Sequence, residues 1–200
     1  MNICNYTLEE YIAIVQSFHG SAAPGMVIGG FMVDIALKNT PEGEFFDAVC
    51  ETTSCLPDAI QLLTPCTIGN GWLKVINLGR FALTLYEKYQ GKGIRVFVDS
   101  AKIEKWPEIK NWFLKLKPKK DQDSQLLFEQ IKEAGPGICS LQNVTVRSEF
   151  LEKRSKGSIA VCPLCGEAYP VKDGNICLGC QGDAPYLETD LTGEQKKKGS

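Results

Sequence analysis

Two Cys-x-x-Cys pairs, Cys162-Pro-Leu-Cys165 and Cys177-Leu-Gly-Cys180, restrict the fold more than any other feature of the chain. Eleven residues separate them. Each pair forms a tight knuckle that aims two thiolates at one point, and the spacer lets the knuckles close around a tetrahedral zinc ion. Thiolates at all four positions leave none open for water, so the ion is read as structural rather than catalytic. Gly166 and Gly179 suit the knuckle backbone, Ala168 to Lys172 reads as a short strand, and Lys172 to Asn175 as a hairpin turn. So small a unit has little core, and metal binding supplies most of its folding free energy.

What precedes this unit is large enough to fold by itself. Of 200 residues 44% are apolar, which accommodates one ordinary domain and an appendage. The boundaries expected are a core at 1–150, a charged linker at 151–157, the four-cysteine module at 158–188 and a disordered lysine-rich tail at 189–200. A formal charge of −2 excludes general polyanion binding as a driving feature. The N-terminal MNICNYTLEE has neither the basic start nor the apolar run of a secretory signal. From Ala22 to Leu37 the longest apolar run is interrupted by Pro24, three glycines and Asp34, so no membrane span is expected. A cytoplasmic protein follows, in which nine cysteines, an odd number, are thiols and metal ligands rather than a disulfide set.

Along the core, Thr7-Leu-Glu-Glu10 is a capping box that starts a helix ending at His19-Gly20. Tyr11, Ile14, Val15 and Phe18 mark its buried face. The loop from Gly20 to Gly25 leads to a second helix from Met26 to Leu37, in which Gly29 and Gly30 point to a close neighbour. Pro41 to Gly43 forms a turn, and strands are expected at Phe45–Thr52, Trp72–Asn77, Phe81–Tyr86 and Ile94–Val98, with one last strand at 143–150. A short helix from Pro57 to Leu63 interrupts them. The class is α+β, a mainly antiparallel sheet packed with helices; no strand leads into a dinucleotide fingerprint. Ile103, Trp106, Ile109, Phe113 and Leu116 form the apolar stripe of an amphipathic helix with a solvated lysine-rich back. A further helix runs from Ser124 to Ala134, before Gly135-Pro-Gly137.

Cys50 to Gly71 concentrates reactive groups. Cys55 stands at the start of the short helix, where N–H groups and the helix dipole favour a thiolate. Cys66 follows the helix end and precedes Gly69-Asn-Gly71, while Cys50 and Cys66 also fit a core role. His19, the sole histidine, is either a carbonyl-bonded helix end or a metal ligand or acid/base group.

Phe18-His-Gly20 with Pro24-Gly25, Glu51-Thr-Thr-Ser-Cys55, Asp58-Ala-Ile-Gln61 and Cys66-Thr-Ile-Gly-Asn-Gly71 together resemble the family of E-type subunits of formylmethanofuran dehydrogenase. The four-cysteine module is similar to a treble-clef appendage found in part of that family. The resemblance implies an α+β core, a homodimer, an association with a larger oxidoreductase complex of molybdenum or tungsten, and a core site for a metal or ligand. Carried onto this chain, that site comprises His19, Cys55 and Cys66, with Asp58 or Glu51 completing it. Ser21 and Ala23 stand where the family loop commonly has a second histidine and a cysteine, and Pro65 replaces a glycine.

The function expected is therefore that of an accessory metal-binding protein, with zinc on Cys162, Cys165, Cys177 and Cys180. A second metal or a small ligand would occupy the core. The alternatives are an enzyme with Cys55 or Cys66 as nucleophile and His19 as base, and a nucleic-acid module of the knuckles and the lysine-rich helix.

Overall fold

Thr7 sets the first helix. Its hydroxyl accepts the Glu10 N–H at 3.2 Å and a Glu10 carboxylate oxygen accepts the Thr7 N–H at 2.8 Å, so α1 (Leu8–His19) starts with two otherwise orphaned donors satisfied. Gly20, left-handed at φ 80°, ends it. The computed structural model describes residues 1–40, 46–151 and 157–187. Its chain divides into two units, Met1–Glu152 and Lys153–Ser200. The expected turn at 41–43, Phe45, most of the expected linker and the expected tail lie outside the described residues.

Two strands too short to show alternation, β1 (Asn2–Ile3) and β2 (Tyr6–Thr7), pair just ahead of α1. Helix α2 (Pro24–Asn39) is the centre of the first unit, buried without a break from Gly25 to Asp34. A helix apolar all round belongs inside a core. On one side lies α3 (Leu56–Leu63). A side chain at Gly29 would come within 2.8 Å of the Ala59 Cβ on that helix, and one at Gly30 within 2.5 Å of the Tyr11 ring. Tyr11 is fully buried and donates its hydroxyl to the Met26 carbonyl at 3.0 Å, so its ring has nowhere to go. Gly30→Ala is accordingly expected to destabilise the first unit by about 1–3 kcal/mol through overpacking. Urea unfolding checks this, and an unchanged midpoint would show that Tyr11 moves aside freely.

Across from α3 is a sheet of five strands in the order β4-β3-β5-β6-β7. These are β3 (Phe46–Cys50), β4 (Leu73–Val75), β5 (Ala82–Glu87), β6 (Lys92–Val98) and β7 (Cys139–Thr145). All pairings are antiparallel except β3 with β4, which run parallel because α3 serves as the crossover between them. The register aligns Cys50, Leu83 and Val96, all fully buried. The last strand lies earlier than expected: β7 ends at Thr145, and Ser148–Phe150 is a 3-10 turn. Trp72, Ile76 and Asn77 fall outside β4, since their backbone bonds go to loop and strand-end partners.

The single lysine-rich helix is not there. Pro107 begins α4 (Pro107–Phe113), but the helix stops at Leu114, and Lys115 turns left-handed at φ 57° while the Leu116 N–H returns to the Asn111 carbonyl at 2.9 Å. That is a Schellman ending, with a lysine where glycine is usual. Ile103 and Ile109 are fully buried as the stripe requires, whereas Leu116 is 57% exposed. Nor are the lysines merely solvated: Lys110 pairs with Glu104, Lys117 with Glu108, and Lys102 donates to the Cys139 carbonyl. Asp123 then caps α5 (Ser124–Ala134), accepting from the Leu126 N–H at 2.9 Å. No helix among the described residues is long and apolar enough to cross a membrane.

In the second unit, β8 (Ile159–Val161) pairs antiparallel with β9 (Ala168–Pro170), and the first knuckle is the turn between them. Residues 171–173 form a 3-10 turn rather than the expected hairpin, because the partner of β9 lies before it in the chain.

A candidate metal centre and a candidate ligand corner

The two knuckles bring the Cys162, Cys165, Cys177 and Cys180 sulfurs all within 4.8 Å of one another. Cys165 and Cys177 are 3.6 Å apart. Zinc–sulfur bonds of about 2.3 Å in a tetrahedron place sulfurs about 3.8 Å apart, so the donor set fits such an ion. Gly166 supports the first knuckle at φ 77°. The Cys177 N–H points at the Cys162 sulfur at 3.5 Å and the Cys180 N–H at the Cys177 sulfur at 3.4 Å. Backbone donors, that of Cys177 first, draw the Cys162 thiol down to about 6, so a ligand thiolate is present at neutral pH.

In the first unit the predicted residues divide between two places. His19, at the end of α1, meets Asp58 in the first turn of α3, with Nδ1 3.0 Å from Oδ2. Cys55 caps the same turn in a strained conformation, φ 50° and ψ −45°. A side chain at Gly25 would lie 3.0 Å from the Cys55 Cβ and 3.2 Å from its sulfur, so the start of α2 must carry glycine for the thiol to fit. Cys66 is elsewhere. It follows α3 at the opposite end, beyond eight helical residues or about 12 Å of rise. There its thiol is fully buried and directed at the Phe46 carbonyl at 3.6 Å.

Helix-dipole stabilisation of a Cys55 thiolate does not prevail. Burial pushes that thiol up, the Asp58 charge adds to the rise, and Lys115 opposes it only in part. Burial likewise holds Cys66 and Cys50 at about 11. With the imidazole bonded to Asp58 instead of to sulfur, no activated nucleophile results. The core offers no set of three ligating groups within 4.8 Å among the described residues, where the four C-terminal cysteines form such a set. Sequence reasoning missed Lys115, Trp112 and Phe81 as neighbours of this corner. Only the break in the lysine-rich stretch places the first two beside it.

The family model described as "FmdE, Molybdenum formylmethanofuran dehydrogenase operon" matches residues 18–147, more than half of the chain. The chain belongs to the FmdE family. A second model, the FmdE treble clef zinc finger, matches residues 153–187 and thus contains all four knuckle cysteines. Among solved structures, an FmdE-like protein of tungsten formylmethanofuran dehydrogenase from Syntrophus aciditrophicus is 57% identical with a TM-score of 0.87. The match covers 93% of this chain and 98% of that one. A "Probable S-adenosyl-L-methionine-binding protein" of Archaeoglobus fulgidus is 30% identical over 196 residues, or 88% of this chain. The chain spans about half, 53%, of that relative's length. The FmdE match contains His19, Cys55, Asp58 and Cys66, and it also contains Ser21 and Ala23, whose hydroxyl and methyl groups are poor metal donors.

Proposed function

We infer that this FmdE-family protein is an accessory binding protein without chemistry of its own. Zinc closes its C-terminal module, and the corner of His19, Asp58 and Cys55 takes a small organic ligand rather than a second metal. One observation carries this reading: the 3.0 Å contact between His19 and Asp58 uses the two strongest potential core ligands on each other, beside a thiol that burial keeps protonated. S-adenosyl-L-methionine is the first ligand to test. It is named for a relative aligned with 88% of this chain, and its sulfonium suits a corner where a carboxylate meets aromatic rings. The likeness to a dehydrogenase component supports a cytoplasmic homodimer that serves within a larger oxidoreductase assembly.

Elemental analysis and calorimetry test the reading together. One zinc per chain is expected, with S-adenosyl-L-methionine binding that weakens about tenfold in Asp58→Asn, the loss of one charge-assisted contact. Two metals per chain would overturn it in favour of a metal-loaded core.

A further inference from the structure

The ligand corner carries charge of both signs, and its cation comes from a stretch with no motif. Lys115 lies within charge range of Cys55, as does Asp58. An aromatic wall joins the two ends. Phe81 lies 3.6 Å from the point that a Gly25 side chain would share with Cys55, and it meets Phe113 edge-on at 6.1 Å. Phe113 contacts Trp112 at 6.1 Å, and the Lys115 ammonium stands 5.7 Å from the Trp112 ring centre. Lys110 and Lys117 are spent on glutamates, whereas Lys115 makes no ion pair among the described residues. Its backbone, moreover, is held left-handed at a position where glycine would relax it.

We propose that Lys115 is a specificity residue of this corner, holding the carboxylate of an amino-acid-like ligand whose cationic group lies against Asp58. The proposal rests on the small-ligand reading above. Opposite charges at the two ends of an aromatic wall select for a zwitterion and orient it. A simple anion or cation finds only one partner and meets a like charge at the other end.

The test uses Lys115→Gly, which suits the left-handed backbone, with Lys115→Arg as the charge-retaining control. Zinc-loaded full-length protein is treated with a sulfonate-bearing methanethiosulfonate and with its trimethylammonium counterpart, and labelling of Cys55 is followed by peptide mass spectrometry. Losing one nearby positive charge should lower the anionic-to-cationic rate ratio at Cys55 about tenfold, and arginine should restore it. A ratio unchanged in Lys115→Gly would overturn the proposal. In parallel, Lys115→Gly should weaken S-adenosyl-L-methionine about tenfold while leaving 5′-methylthioadenosine, which lacks the amino-acid end, unaffected. Equal weakening of both would also overturn it. If neither compound binds the unmodified protein, the small-ligand reading fails at that compound, and the labelling ratio still decides whether Lys115 governs the corner.

Discussion

Removing the metal with a strong chelator is expected to unfold residues 157–187 and to leave 1–151 native. The asymmetry follows from what each unit buries. In the second unit only Cys162 and Tyr169 are buried among the described residues, and Tyr169 is fastened by a hydroxyl bond to the Gly174 carbonyl at 3.0 Å. Two side chains cannot offset the conformational entropy of some thirty residues, at about 1–2 kcal/mol each for the backbone alone. Structural zinc in small modules contributes an apparent 10–16 kcal/mol, roughly, at neutral pH, and that is the amount at stake. Cys162→Ser should act as the chelator does. Amide chemical shifts would show collapsed dispersion for the module and unchanged resonances for the core. A module that keeps its dispersion without metal would mean that its fold has another source.

Glu51→Ala should be the most damaging single change in the core, at about 3–5 kcal/mol. The Glu51 carboxylate is buried and takes two bonds from Arg95, at 2.6 and 2.8 Å, and one from Arg80 at 2.7 Å. Truncation leaves the largely buried Arg95 guanidinium without a counter-charge. The pH dependence has a definite sign. Burial pushes the Glu51 carboxyl up, but the bonds and charge of Arg95 and Arg80 outweigh it and hold the group below the ordinary glutamate value. A depressed carboxyl contributes stability that is present above its unfolded value of about 4.3 and is lost as pH falls through the folded one. Chemical denaturation of the wild type should thus show a loss below about pH 4 that Glu51→Gln lacks. Parallel acid profiles for the two proteins would refute the assignment.

Local chemistry makes much of this architecture readable in advance. The Thr7–Glu10 box, Pro57 in the first turn of α3 and the paired knuckles each act within a few residues, so pattern alone locates them. Strands β5 and β6 alternate against a single core and are equally plain. The parallel edge strand is not, because only the three residues Leu73–Val75 pair, and their direction depends on a helix that must first cross over. Lys115 hides for a different reason. The apolar spacing from Ile103 to Leu116 is helical, and the turn that breaks it shows in the backbone and not in the side-chain pattern. In the candidate site, His19 and Asp58 stand out individually, 39 positions apart in the chain. Their contact, and the separation of Cys66 from them, depend on how α1 and α3 pack.

The first unit also behaves predictably toward air. Peroxides consume thiolates and largely ignore thiols. Cys4, Cys50 and Cys66 are each pushed up to about 11 and Cys139 to about 12, all chiefly by burial. These four therefore stay protonated at any physiological pH, and the core should survive long handling without added reductant.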